Sequence, residues 1–467
     1  MKLSELIKGT QAAILQGCPD SEIVRITSDS RKVTEGSLFI AVKGEKVDGA
    51  AYADKAMAAG AIAAVSAGRH DLAILADRFY GHPSGKLRLV GITGTNGKTT
   101  TVTLLFNLFR ALGYECGLLS TIANYIGDKR FETENTTSDP VTINALLSEM
   151  ADRGCEFCFM EVSSIGLEQE RVTGLEFAVG IFSNLTHDHL DYHGTFAEYI
   201  RCKKLFFDNL PKKAAAIINI DDRNGYVMVQ NCAARTVTYS CRSAADHTAR
   251  IIEQSFEGML LRIDGQEVWV RLVGAHNAYN ILAIYSAAIA LGADKGEVLV
   301  GLSVLESAPG RLDTLHGPRD INVVIDYAHT PDAMENVLKT LRDVAPERNL
   351  VCLFGCGGDR DKTKRPEMAA CAEKWSDRIF VTSDNSRTER TEDIIEDIKA
   401  GFTPAGLAKT ICISNRREAI RAAITLSPAG STILLAGKGH EDYQILGTVK
   451  YHFDEKEIVA EIFNTMN

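Results

Sequence analysis

The run Gly91-Ile92-Thr93-Gly94-Thr95-Asn96-Gly97-Lys98-Thr99-Thr100 allows few folds around it. The apolar residues Leu87 to Ile92 lead into it and predict a strand. Val102, Leu105, Phe106, Phe109 and Leu112 follow at helical spacing, and Gly113 marks a helix end. Strand, glycine loop and helix make a cradle in which backbone N–H groups and the helix N-terminus face an anion. Lys98 adds a positive charge, and Thr99 offers a hydroxyl to a magnesium ion. The common phosphate-loop spacing needs glycine five residues before Gly97, where Ile92 stands. The cradle is therefore the shorter G-x-x-G-K-T, Gly94 to Thr99, read as a phosphate site rather than a plain glycine turn.

At 467 residues the chain has room for about three domains. A net charge of −10 argues against a nucleic-acid or anionic-membrane partner, although local Lys and Arg residues can hold small anions. Met1 to Lys8 lacks the apolar core of a signal peptide. The most apolar helical run, Ala278 to Leu291, is too short and interrupted to span a bilayer. The 11 cysteines sit in strand- and helix-like runs, which predicts reduced thiols in a cytoplasmic protein. Cys155 and Cys158 have C-x-x-C spacing. On a period-two strand over 155–159 they face opposite sides, which disfavours a shared metal.

Residues 1–85 read as a small α/β unit. Ser28-Asp29-Ser30-Arg31 precedes an apolar strand, Leu38 to Val42, between Gly36 and Gly44. An alanine-rich helix is predicted over 50–59, then a strand over 61–65, with His82-Pro83-Ser84-Gly85 as a linker. By itself the Asp29 turn reads as a polar turn.

In residues 86–313, Asn135-Thr136-Thr137-Ser138 precedes a helix starting near Pro140. An apolar strand then ends on Glu161. An acid at a strand end opposite a phosphate loop is where magnesium is held, and that reading is preferred to a structural ion pair. Ile181 to Gly194 crowds His187, Asp188, His189, Asp191 and His193 together. A zinc hydrolase is one reading, since H-x-H-x-D-H binds zinc, but Tyr192 interrupts that pattern. Oxygen ligands with one imidazole, around Mg²⁺ bridging ATP phosphates, also account for the phosphate loop. Lys203 and Lys204 follow on a predicted helix, His276-Asn277 opens the apolar helix, and Gly310-Arg311-Leu312-Asp313 closes the segment.

Residues 314–467 carry four apolar strands, each running into polar or glycine residues: 321–325 into Asp326, 350–354 into Gly355 to Arg360, 378–381 into Thr382 to Arg387, and 433–436 into Gly437 to Glu441. Strands alternating with helices predict a parallel sheet with ligands at the strands' C-terminal ends. The Gly355 loop is not G-x-G-x-x-G, so no dinucleotide site is read there.

Gly94 to Thr99, Glu161-Val162-Ser163-Ser164, Asn184-Leu185-Thr186-His187-Asp188-His189, His276-Asn277 and Gly310 to Asp313 occur in an order that resembles the Mur ligases over nearly the whole chain. These are ATP-dependent amino-acid ligases of peptidoglycan precursor synthesis. The Ser28 and Leu38 to Gly44 segments resemble the branch that adds the third stem-peptide residue to UDP-N-acetylmuramoyl-L-alanyl-D-glutamate. The resemblance implies three α/β domains: a UDP-sugar-binding domain (1–85), a central P-loop-like ATPase domain (86–313) and a Rossmann-like amino-acid-binding domain (314–467). It implies that Gly94, Thr95, Asn96, Gly97, Lys98, Thr99, Thr100, Asn277, Arg311 and Asp326 bind ATP. Thr99, Glu161, His189 and Lys203 would hold Mg²⁺, with Lys203 carried as N6-carboxylysine, and Lys98, Lys203, Glu161 and His189 would serve catalysis. Ser28, Ser30, Asn135, Thr136, Thr137, Ser163, Gln169 and Arg171 would hold the muramoyl dipeptide. Ile165 departs from the family's usual His or Gln. The expected state is a cytoplasmic monomer without nucleic-acid or membrane partners.

By the same resemblance, Arg360, Asp384, Asn385, Arg387, Gly437 and Glu441 hold the incoming amino acid. The family signature Asp-Asn-Pro-Arg reads Asp384-Asn385-Ser386-Arg387 here, with Ser386 replacing proline. Arg387 points to meso-diaminopimelate, whose far-end carboxylate lysine lacks. A charge-assisted pair of this kind contributes roughly 1.5–3 kcal/mol, about ten- to a hundredfold in affinity. L-Lysine and the near-isosteric meso-lanthionine stay open as alternatives, as does a related folylpolyglutamate synthetase, against which the first domain and the Asp384 loop argue.

Overall fold

The computed structural model describes residues 1–44, 48–186, 190–308 and 310–466. The expected residues His187, Asp188 and His189 lie outside them. Three large sheets follow one another along the chain, with a two-stranded hairpin, Tyr443–Leu446 and Val449–His452, near its end. The first sheet has four strands in the order Ala13–Gln16, Ala61–Ala67, Ser37–Val42, Arg25–Thr27, with Ala13–Gln16 antiparallel at one edge.

The central sheet has 11 strands. Its parallel centre runs Arg235–Ser240, Ala215–Asn219, Phe177–Phe182, Arg88–Thr93, Phe157–Glu161, Cys116–Leu119. The strand feeding the glycine loop is flanked on both sides, and all its residues after Arg88 are buried. A centrally placed parallel strand buried on both faces reads as a continuous apolar run, as Leu87 to Ile92 does. Helices Lys98–Ala111 and Ala275–Ala290 cover one face, sharing a core that includes Leu105, Phe109, Ile281 and Tyr285. Thr195 caps Phe196–Asp208 through Glu198 N–H, and Asp139 caps Pro140–Asp152.

The third sheet has six strands in the order Asp313–Gly317, Ile321–Asp326, Thr432–Ala436, Leu350–Phe354, Arg378–Val381, Thr410–Cys412. All but the edge strand Asp313–Gly317 are parallel. The four strands expected here are therefore parallel, and their loops open at one end of the sheet.

Some elements differ from the sequence reading. The alanine-rich run is not one helix: a tight 3₁₀ turn, Gly49–Tyr52, precedes the helix Ala53–Ala58. Asp48 accepts the Ala50 N–H and closes that turn, a local competition that alanine content does not reveal. The strand expected over 155–159 is Phe157–Glu161, so Cys155 precedes it. All cysteines are free thiols, and burial pushes Cys116 and Cys352 up to about 12. His82 has φ 53 and enters a short 3₁₀ turn, Pro83–Lys86, where a plain linker was expected. The antiparallel edges of the central sheet, among them His247–Ser255 and Gly258–Ile263, were not anticipated. No described helix is long and apolar enough to cross a membrane.

Candidate active site

Gly94 and Gly97 shape the loop after Arg88–Thr93. Gly94 has φ 154, and a Cβ there would lie 1.9 Å from Ser183 Oγ. Gly97 has φ 87 as the N-cap of Lys98–Ala111, and a Cβ there would lie 2.4 Å from Asn280 Oδ1. Only glycine fits both the backbone and the space. Thr95 Oγ1 lies 3.1 Å from Tyr199 Oη and accepts the Thr186 N–H at 3.0 Å. Asn96 N–H donates to Asn184 Oδ1 at 2.9 Å, and Ser183 Oγ donates to Asn96 O at 2.7 Å. The loop is thus clamped by residues 183–186 at the end of the neighbouring strand Phe177–Phe182. Thr99 and Thr100 are buried in the first helical turn.

Two lysines converge on this loop. Lys98 Nζ donates to Gly94 O and Thr95 O, both at 2.9 Å. Lys203 Nζ donates to the same Gly94 O at 2.8 Å. Lys203 is 1% exposed, whereas Lys204 turns aside to pair with Asp208. The helix phase turns inward Lys203, the lysine that the resemblance singled out, and turns Lys204 away.

Glu161 lies across from Ile92 in the adjoining strand. Its Oε1 accepts from Thr121 N–H at 2.8 Å and Thr121 Oγ1 at 3.1 Å. Its Oε2 is buried with no hydrogen-bond partner among the described residues. A buried carboxylate oxygen without a donor is costly unless a cation meets it, so the donor set beside the loop fits a hard divalent ion such as Mg²⁺. The Glu161 carbonyl accepts from Thr137 Oγ1 at 2.9 Å, and Thr137 Oγ1 accepts the Ser163 N–H at 3.0 Å. Arg171 donates to Thr137 O at 2.5 Å and to Gln169 Oε1 at 2.7 Å. Burial lowers the Arg171 pKa. Thr136 accepts from Thr121 Oγ1 at 3.2 Å, while Asn135 is exposed. Of the residues expected to hold the muramoyl dipeptide from this segment, Thr136, Thr137, Ser163, Gln169 and Arg171 share one hydrogen-bonded patch with Glu161, and Asn135 stands exposed apart from it. Ser28 and Ser30 flank Asp29 in the first sheet's domain. Asp29 and Arg31 pair with each other at 2.9 Å, which holds the Asp29 carboxyl down to about 2. His193 Nε2 lies 3.0 Å from Ser164 Oγ.

Asn277 donates to Val273 O at 2.9 Å and accepts from Asn280 Nδ2 at 3.0 Å. Arg311 stacks over Tyr327 at 5.0 Å, and its buried Nε has no partner among the described residues. Both Asp326 oxygens receive backbone N–H groups, from Leu312 and Ala328 at 2.8 Å each. Burial raises its pKa.

The loops of the third sheet meet at Asp384. Gly437 has φ 115, and a Cβ there would lie 2.7 Å from Asp384 Oδ2. Asn385 Nδ2 donates to Glu441 Oε2 at 2.9 Å, and Asn385 Oδ1 accepts the Ile445 N–H at 2.8 Å. Arg387 sits at φ 49, a strained conformation for a side chain with a Cβ. Its Nη1 donates to Gly358 O at 2.9 Å and Asn385 O at 3.3 Å. Arg360 is exposed at the same mouth.

Comparison with known proteins fits this geometry. Residues 22–82 match the Mur ligase family, catalytic domain; 92–290 match the Mur ligase middle domain; and 310–439 match the Mur ligase, glutamate ligase domain. A UDP-N-acetylmuramoyl-L-alanyl-D-glutamate–2,6-diaminopimelate ligase of Parabacteroides distasonis is 48% identical, covering 100% of this chain and 99% of its own. The chain belongs to the Mur ligase family. A Bacteroides thetaiotaomicron ligase of the same name is 46% identical over 99% of this chain and 100% of its own. A solved structure of a diaminopimelate ligase aligns with a TM-score of 0.70 at 32% identity, over 100% of this chain and 99% of that one. MurF from Acinetobacter baumannii, at 18% identity and a TM-score of 0.69 over 99% of this chain and 98% of that one, shares the fold. None of these relatives supports a zinc hydrolase.

In this Mur ligase several polar residues join the site that sequence reasoning left unassigned. Thr121 holds Glu161, Asn184 holds Asn96, Asn280 packs on Gly97, and Gln444 donates to Ser383 Oγ and Asp384 O at 2.9 and 3.0 Å. Asp332 Oδ2, on the helix Pro331–Val344 of the third domain, accepts from Asn96 Nδ2 at 2.7 Å and lies 3.4 Å from Thr186 Oγ1. Asn280 and Asn184 had readable signals, the one in its i,i+3 spacing from Asn277 and the other in the motif Asn184 to His189.

Proposed function

We propose that this Mur ligase joins meso-2,6-diaminopimelate to UDP-N-acetylmuramoyl-L-alanyl-D-glutamate, forming ADP and phosphate, as a monomer in the cytoplasm where ATP is supplied. The supporting observation is the convergence of Lys98 and Lys203 on one loop carbonyl, one strand away from the Glu161 oxygen that has no partner among the described residues. The names of the full-length relatives support the substrates.

The D-glutamate side-chain carboxylate attacks the γ-phosphorus of ATP, and ADP leaves. The amine of diaminopimelate then attacks the acyl carbon, and phosphate leaves with the bridging oxygen as the amide forms. Lys98 releases its loop carbonyls and follows the charge of the transferring phosphoryl group, in a cradle already organised by residues 183–186. Thr99, Glu161, His189 and a carboxylated Lys203 would hold Mg²⁺, which when bound neutralises phosphate charge. Addition of CO₂ to the neutral Lys203 amine, with loss of its proton, places an anion beside the Lys98 ammonium. Arg171, Thr137 and Ser163 orient the dipeptide, and Arg387 takes the far-end carboxylate of the amino acid.

ADP release with UDP-N-acetylmuramoyl-L-alanyl-D-glutamate tests the reading, with meso-diaminopimelate, meso-lanthionine or L-lysine offered in turn. Turnover with diaminopimelate is expected; equal turnover with lysine would sink the role of Arg387. Intact mass of the native protein is expected to carry one added CO₂, lost in the variant Lys203→Ala.

A further inference from the structure

Lys438 follows Gly437 at the end of the strand Thr432–Ala436 and is 0% exposed. Its Nζ donates to Glu441 Oε2 at 3.0 Å and to Asn385 Oδ1 at 3.5 Å, and lies 3.9 Å from Asp384 Oδ1. The rings of Tyr443 and Phe453 stand 5.5 and 6.0 Å from it. Lysine is almost never fully buried without ionic partners. Here every polar partner is a residue expected to grip the amino acid.

A second buried cation completes the network. Arg416 donates to Glu455 Oε1 at 2.8 Å, to Ser383 O at 3.2 Å and to Ala436 O at 2.9 Å. The two cations, Lys438 and Arg416, face three carboxylates, Asp384, Glu441 and Glu455. Asp384 and Glu441 reach the surface of the pocket in part, while Lys438 does not. Removing Lys438 would take away the one ammonium that Asp384, Asn385 and Glu441 are seen to share.

We propose that Lys438 is a positioning and specificity residue of the amino-acid pocket. It holds Asp384, Asn385 and Glu441 in one arrangement, so that the two carboxylates meet the far-end ammonium of the substrate beside the Arg387 guanidinium that takes the far-end carboxylate. The inference rests on the ligase reading above and assigns a role within it.

The test uses the full chain and separates the two claims. Wild-type protein that fails to turn over diaminopimelate overturns the ligase reading. With wild-type turnover established, Lys438→Met is expected to raise KM for diaminopimelate by about tenfold or more, the loss of a charge-assisted contact set. KM for ATP and for the UDP-linked dipeptide is expected to stay within about twofold of wild type. Should Lys438→Met fail to fold, Lys438→Gln, which keeps a donor without the charge, is assayed in its place with the same expectation. A uniform rise in all three KM values, or a fall in kcat alone with an unchanged KM for diaminopimelate, overturns the inference.

Discussion

At the scale of single residues, geometry turns motif letters into requirements. Gly94→Ala would put a methyl group 1.9 Å from Ser183 Oγ, so the strand end or the loop must move. ADP release is expected to fall at least about a hundredfold, as misplacement near reacting atoms does, while circular dichroism stays that of the wild type. Near-normal turnover would show that the loop tolerates the shift. Arg387 is already fixed by two carbonyls and a strained backbone. Arg387→Met is expected to lower kcat/KM for diaminopimelate by roughly ten- to a hundredfold, and to narrow the gap to lysine measured in the same assay.

Among the elements, one buried ion pair ties the helices Arg416–Leu426 and Glu455–Met466 to the strands that carry the amino-acid loops. Burial pushes the Glu455 carboxyl up although the Arg416 guanidinium pulls it down. Arg416 also satisfies the carbonyls of Ser383 and Ala436. Glu455→Gln leaves that guanidinium buried without its counter-ion, and a loss of about 3–5 kcal/mol is expected from urea unfolding followed by a probe in the third domain. A change under about 1 kcal/mol would mean the site relaxes by admitting water.

For the whole molecule, the central and third domains touch at the phosphate loop through Asp332, whose carboxyl burial pushes up. Asp332→Ala is expected to raise KM for ATP by about three- to tenfold with an unchanged melting midpoint. The same boundary holds His276 and His440, lowered from 6.5 to about 4 by burial and then by Arg311. Between those values the unfolded chain binds more protons than the folded one. Stability is therefore complete above about pH 6.5 and falls as pH drops toward 4. Melting midpoints across that range are expected to decline, with a shallower slope in the double variant His276→Gln/His440→Gln.

The sequence by itself determined the α/β class, the parallel strands of the third domain and the phosphate loop. Each of these follows from local chain properties: apolar runs between glycines, helical spacing, and a lysine after a glycine turn. It also held the motifs through which the family resemblance named the candidate site residues. The resemblance singled out Lys203 over Lys204, but only the tertiary structure showed why Lys203 turns inward, because a difference of about 100° in helix phase matters once there is a core to face. Contacts between residues distant in sequence were closed to it as well. Asp332 reaches Asn96, Thr121 reaches Glu161 and Lys438 reaches Asp384 and Asn385 only after the sheets have brought their loops together. The strands His247–Ser255 and Gln266–Val270 were hidden for the opposite reason: half exposed, they carry a weak apolar signal, and their pairing is settled by the neighbour they find.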